Sequence, residues 1–145
     1  MRLRKTKRLC KHFRQPDNVM KILIADDNAV VRKGVRNILL RPGNWEVCGE
    51  AASGLEALER ARELKPDVAL LDIRMPGTNG LETARRLRRE LPQIKILIMS
   101  QFDPEYLLPR ALQAGANACI DKTRLGTDLL NAVKSLEDAS PEAVS

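Results

Sequence analysis

The stretch Leu70–Gly80, LLDIRMPGTNG, decides how the chain is read. Together with Val68 and Ala69 it opens on an unbroken apolar run, the pattern of a short strand buried on both faces. A carboxylate, Asp72, stands where that strand ends, and a turn rich in Pro, Gly and Asn follows. A charge at the mouth of an apolar strand is costly to desolvate and calls for a partner.

Working outward, similar apolar runs recur at near-equal intervals: Lys21–Ala25, Trp45–Ala51, Asp67–Leu71, Ile94–Met99 and Asn117–Ile120. Between them apolar residues return at helical spacing, as in Val31, Val35, Ile38 or Leu81, Ala84, Leu87, Leu91. This alternation predicts a single α/β domain, a doubly wound (βα)5 unit with a five-stranded parallel sheet and helices on both faces. Ser53 with Glu56 has capping-box spacing, and Asp103 before Pro104 puts an N-cap ahead of a proline at the first helical position. Gly43, Pro66 and Pro92 mark helix stops. In the second run Trp45, Val47, Gly49 and Ala51 alternate with Glu46, Cys48 and Glu50, which predicts an edge strand with one wetter face. Pro109 removes a backbone donor inside the fourth helix and crowds the Glu105 carbonyl, so that helix is expected to kink or begin late.

With 145 residues the chain is one domain of ordinary size. Its net charge of +6 belongs to one end, because residues 1–20 hold seven Lys or Arg against Asp17 alone. The remaining 18 basic and 18 acidic side chains cancel. The basic extension, residues 1–19, reads as a disordered or helical arm for phosphate backbones, or as residues ahead of a start at Met20. Residues 139–145 read as a polar tail or the start of a linker. Cys10, Cys48 and Cys119 suggest neither a disulfide framework nor a zinc site, since Cys10 and His12 have no second pair of ligands. No secretory signal and no apolar run of membrane length is found, so a cytoplasmic protein without membrane contact is expected.

In open parallel sheets the functional crevice lies beyond the carboxyl ends of the strands. Here the first run is followed by Asp26 and Asp27, the third by Asp72, the fourth by Ser100, and the fifth by Asp121 and Lys122. Carboxylates crowded on one rim repel one another unless a cation intervenes. With no His or Cys beside them, the all-oxygen set suits Mg2+ or Mn2+ rather than zinc. A cation together with Lys122 makes a place for a phosphoryl group. The cluster Arg85, Arg86, Arg88, Arg89 reads as a solvated helix face, with Glu82 able to pair with Arg86.

Across residues 20–138 the motifs ILIADDN, LLDIRMPGTNGLE, ILIMS and ALQAGANACIDK resemble the receiver domain of two-component response regulators, in the LuxR-like (NarL/FixJ) branch. The resemblance implies a flavodoxin-like, CheY-like strand order 2-1-3-4-5 and a phosphoprotein of bacterial signal transduction and transcription control. It implies that Asp72 accepts a phosphoryl group from a histidine kinase. Asp27, Asp72 and the backbone carbonyl of Arg74 would hold the metal, with Asp26 acting mainly through water. Lys122 would pair with the phosphoryl group and Ser100 would donate to it. It further implies a homodimer on phosphorylation, and DNA contact through an effector domain outside this chain or weakly through the basic arm. No turnover of a metabolite is expected, only self-phosphorylation from small donors and self-dephosphorylation.

The chain departs from the family pattern in places. Cys119 stands where many members carry an aromatic, Gln101 where a small residue is common, and Thr123 where proline is frequent, so a trans peptide is expected there. Gln101, Cys119 and Pro109 are therefore expected to modulate the switch. Competing readings are a stand-alone regulator, a phosphorylation-independent DNA-binding protein using the arm, and an aspartate-nucleophile phosphatase. The last would want a second carboxylate two residues after Asp72, where this chain has Arg74.

Overall fold

The computed structural model describes residues 19–138. All of the predicted extension but Val19, and the tail 139–145, lie outside the described residues. In chain order the elements are β1 (Met20–Ala25), α1 (Ala29–Leu39), β2 (Trp45–Ala51), α2 (Gly54–Leu64), β3 (Val68–Asp72) and α3 (Gly80–Glu90). There follow β4 (Lys95–Ser100), α4 (Pro104–Gln113), β5 (Ala118–Asp121), a 3-10 turn (Lys122–Arg124) and α5 (Leu125–Asp138). The strands form one parallel sheet in the order β2-β1-β3-β4-β5, so β2 is an edge strand as expected. No helix among the described residues is long and apolar enough to cross a membrane.

Two apolar layers flank the sheet. One gathers Leu58 and Ala61 of α2, Ala84 and Leu87 of α3, and Leu107 and Ala111 of α4 against Leu23, Leu71 and Ile96. The other packs Val35 and Leu39 of α1 with Leu129, Val133 and Leu136 of α5 against Ile22, Leu70 and Leu97. Helical spacing in the sequence therefore reports burial directly, because each helix offers one stripe to one face. Strands β3, β4 and β5 each run one residue further than their apolar runs, since Asp72 and Ser100 still pair with Met99 and Asp121 in the sheet.

Four expectations are corrected. First, the alternation of β2 breaks at Cys48, which is skipped in the register between Val47 opposite Ile22 and Gly49 opposite Leu23. That bulge turns the strand over, so Trp45 and Val47 face one apolar layer and Ala51 the other. Gly49 then lies under α2, where a Cβ would come within 2.7 Å of the Leu64 side chain. Second, the box at α2 is offset: Ser53 Oγ accepts from the Glu56 N–H at 3.1 Å, while Glu56 Oε1 accepts from the N–H of Ala52, one residue before the cap. Third, of the kink or late start expected of α4, the late start does not occur. Its Asp103 cap accepts from the Glu105 N–H and the helix runs unbroken through Pro109. Glu105 and Pro109 are both exposed, which leaves water to satisfy the carbonyl the proline cannot.

The fourth correction concerns the arginine cluster. Arg85 and Arg86 pair with Glu82 at 3.2 and 3.6 Å, on the solvated face. Arg88 leaves that face and reaches under the sheet, donating to the carbonyls of Pro92, Ile94 and Gly115 and to Asn117 Oδ1. These acceptors end strands and loops at the amino edge of the sheet, where no neighbouring strand takes them up.

Candidate functional site

The site lies at the opposite, carboxyl edge. Strand β1 delivers Asp26 and Asp27, with Asn28 capping α1 by accepting from the N–H groups of Val30 and Val31. Asp26 is fully buried; its Oδ1 accepts from the Asn28 N–H at 2.8 Å, which fixes the carboxylate inward. Asp27, the next residue, is exposed and faces the hollow. Strand β3 delivers Asp72, whose Oδ1 takes a long contact of 3.4 Å from the Arg74 N–H. The loop after it folds back tightly: the Gly80 N–H donates to the Ile73 carbonyl, and a Cβ at Gly80 would meet the Asp72 carbonyl oxygen at 2.4 Å. Only glycine fits there, which is why the loop after Asp72 ends in Gly80.

Lys122, just past β5, lies between two of these acids. Its Nζ is 2.9 Å from Asp26 Oδ2 and 3.3 Å from Asp72 Oδ2, and its side chain is only 11% exposed. The approach to Asp26 Oδ2 is ionic contact without hydrogen-bond alignment, so that buried oxygen has no hydrogen-bond partner. Asp121, which also ends β5, turns away to cap the following turn by accepting from the Thr123 N–H. No cis peptide occurs among the described residues, so the bond before Thr123 is trans.

Electrostatics follow from this crowding. Burial first, and then the charge of Asp26, push the Asp72 pKa above its ordinary value, while Lys122 and the Arg74 N–H pull it partly back. For Lys122 burial opposes the ammonium, yet the pull of the Asp26 and Asp72 carboxylates outweighs it and leaves its pKa raised. One ammonium still cannot balance three acids. Asp26, Asp27 and Asp72 each offer an oxygen within 4.8 Å of the others, a hard-donor set that fits a divalent cation of the Mg2+ type. The excess of three acids over the one Lys122 ammonium is the observation that supports the fit.

An open hollow of about 250 Å³ lies beside the cluster, lined by Asp27, Asn28, Asp72 and Lys122 on one side and Ile73, Arg74, Gln101 and Phe102 on the other. Of the candidate residues, Asp27, Asp72, Arg74, Gln101 and Lys122 thus meet at one place. Asp26 lies behind them. Ser100 is fully buried and does not line the hollow; its Oγ accepts from the Phe102 N–H at 2.9 Å. Cys119 is half-buried against the apolar layer that carries α2, α3 and α4, and burial pushes its thiol up to about 11. Pro109 is exposed on α4. The sequence reading missed Asn28, Ile73 and Phe102 as lining residues. Asn28 had a visible signal, an Asn ahead of a helix; Phe102 had none, since an aromatic in a loop has no period to betray it.

The model of the response regulator receiver domain family matches residues 22–134. The response regulator protein VraR of Staphylococcus aureus (strain Mu3 / ATCC 700698) is 40% identical over 115 residues, covering 79% of this chain and 55% of that protein. The chain therefore spans about half the length of the curated relatives it matches. A LuxR-family two-component response regulator from Aurantimonas sp. SI85-9A1 superposes with a TM-score of 0.79 at 28% identity, over 87% of this chain and 93% of that one. The signal receiver domain of NarL from Mycobacterium tuberculosis gives 0.78 at 34% identity, over 83% and 98%. On sequence and on fold alike, the chain belongs to the receiver domain family of two-component response regulators, with LuxR-family regulators among its relatives.

Proposed function

We propose that this receiver domain takes a phosphoryl group from a histidine kinase onto Asp72 and uses it to switch a binding surface. The observation that carries the reading is the Lys122 ammonium 2.9 and 3.3 Å from the Asp26 and Asp72 carboxylates, at the edge of a hollow open to solvent. In the transfer an Asp72 oxygen attacks phosphorus, the P–N bond of the kinase's phosphohistidine breaks, and the departing imidazole takes its proton from water. Asp27, Asp72 and the Arg74 carbonyl would hold Mg2+ or Mn2+, with Asp26 acting through water; bound there, the cation offsets the negative charge shared by carboxylate and phosphoryl oxygens. Lys122 is already positioned to follow the new oxygens, because its present partner is the carboxylate they join.

Acyl phosphate formation adds about 1.5 to 2 negative charges beside β4 and β5. Ser100 Oγ accepts from the Phe102 N–H and keeps its own O–H free to donate; swinging that oxygen toward the phosphoryl group breaks the bond to Phe102 and moves residues 101–103 and the start of α4. Shifting such an equilibrium from about 1:99 to 99:1 takes ~5.5 kcal/mol, within reach of a few charge-assisted hydrogen bonds. Pro109 lowers the cost of moving α4 by leaving one helical bond unmade, so Pro109→Ala should slow amide exchange across residues 103–114 several-fold. The output is dimerisation or partner binding, coupled in the full protein to a DNA-binding effector domain in the cytoplasm. The Arg74 guanidinium where a phosphatase would want a second carboxylate speaks against turnover of free esters.

The test is incubation with acetyl phosphate and Mg2+ followed by intact mass. One phosphate adduct is expected on the wild type and none on Asp72→Ala. A wild type that takes up nothing, or an adduct that survives in Asp72→Ala, overturns the assignment.

A further inference from the structure

We infer that Arg74 and Phe102 form a clasp that keeps Ser100 out of the hollow until a phosphoryl group on Asp72 draws Arg74 away. The inference rests on the reading of Asp72 as the phosphoryl acceptor.

Three contacts in series carry it. The Arg74 N–H reaches Asp72 Oδ1 at 3.4 Å, so the backbone of this arginine is tied to the acceptor carboxylate. Its guanidinium lies over the Phe102 ring, 5.1 Å from the centroid, and has no carboxylate partner among the described residues. The Phe102 N–H in turn donates to Ser100 Oγ at 2.9 Å, which pins that oxygen in a position that does not line the hollow. Arg74 and Phe102 come from different loops, after β3 and after β4, and both line the hollow rather than the core. Phe102 is 51% exposed, so its ring is not held in place by burial.

Moving Ser100 toward Asp72 requires the Phe102 N–H to let go, and displacing Phe102 takes its ring from under the guanidinium. The clasp therefore stabilises the unphosphorylated arrangement. A phosphoryl group two residues from Arg74 competes for the same cation, and a guanidinium binds phosphoryl oxygens through charge-assisted, bidentate hydrogen bonds that a ring face cannot match. The same side chain thus supports the resting arrangement in one state and the acyl phosphate in the other, which is the differential contact a two-state switch needs.

The experiment is a titration of the wild type, Phe102→Leu, Arg74→Met and the double variant with beryllium trifluoride and Mg2+, followed by the amide resonances of residues 100–103. Phe102→Leu should lower the midpoint about two- to five-fold in the wild-type background, the worth of an exposed cation–π contact. It should leave the midpoint unchanged where Arg74 is already Met, because the clasp is then gone. An equal effect in both backgrounds, or none in the wild type, overturns the clasp while leaving the acceptor role intact. Failure of the wild type itself to bind beryllium trifluoride, with Asp72→Ala behaving alike, overturns the acceptor role and the clasp with it.

Discussion

The two edges of the sheet each take in charge, and they settle it differently. At the amino edge the Arg88 guanidinium meets only acceptors, the carbonyls of Pro92, Ile94 and Gly115 and Asn117 Oδ1, at 2.7 to 3.0 Å. Asn117 Oδ1 also takes the Ile96 N–H, so each group there is answered by a fixed neighbour. At the carboxyl edge Asp26, Asp27 and Asp72 lie together, and the Lys122 ammonium pairs with Asp26 and Asp72 alone of the three. A charge saturated by its own chain holds the fold together. A cluster with more negative charge than positive partners is open to a cation from outside.

The largest expected effect is at the saturated edge. Arg88→Ala removes a charged donor from several carbonyls and should cost about 3 kcal/mol in urea unfolding, independent of Mg2+. Lys122→Ala should cost about 2 kcal/mol without divalent cation, since it leaves Asp26 and Asp72 facing each other, and added Mg2+ should recover much of that loss. If Lys122→Ala proved as indifferent to Mg2+ as Arg88→Ala, the contrast between the edges would collapse.

Asp72→Asn sharpens the point by changing sign. A carboxyl whose pKa is raised by burial and by a like charge destabilises the fold when ionised, so the amide should stabilise the magnesium-free protein by on the order of 1 kcal/mol at pH 7. That gain should fade as the pH is lowered through the raised value, where the folded wild-type side chain takes up its proton, and be gone by the ordinary 3.8.

The smallest effect belongs to an intermediate case. Glu50 of β2 accepts from Arg32 and Arg36 of α1 at 2.7 to 2.9 Å, saturated but partly in solvent. The hydrogen bond from Arg36, opposed by burial and helped by Arg32, lowers the Glu50 pKa below its ordinary 4.5. The pair's contribution is therefore full above pH 4.5 and is lost as the pH falls through the depressed value. Glu50→Gln should cost about 0.5 kcal/mol at neutral pH, and the difference in urea midpoint from the wild type should close in acid.

Much of the carboxyl edge was legible in advance because its logic is local. Asp27, Asp72 and Lys122 each follow an apolar run, and parallel strands joined by helical crossovers bring all such ends to one side. Arg88 was not legible. Its neighbours Arg85, Arg86 and Arg89 share its chemistry and helix, and a rotation of about 100° per residue separates a solvated arginine from one that reaches under the sheet. Ser100 was legible as a hydroxyl at a strand end, yet its engagement with the Phe102 N–H depends on the loop's path.

From the sequence by itself came the kinds of element, their order, the edge position of β2 and the residues that end each strand. Periodicity and turn residues are short-range signals, and each stripe of apolar residues must find a layer to enter. The turnover of β2 at Cys48, the lysine shared by Asp26 and Asp72, and the guanidinium over Phe102 were decided by the tertiary structure alone. Each depends on distances between segments far apart in the chain, set by strand register and loop path, and no local pattern of residues encodes those.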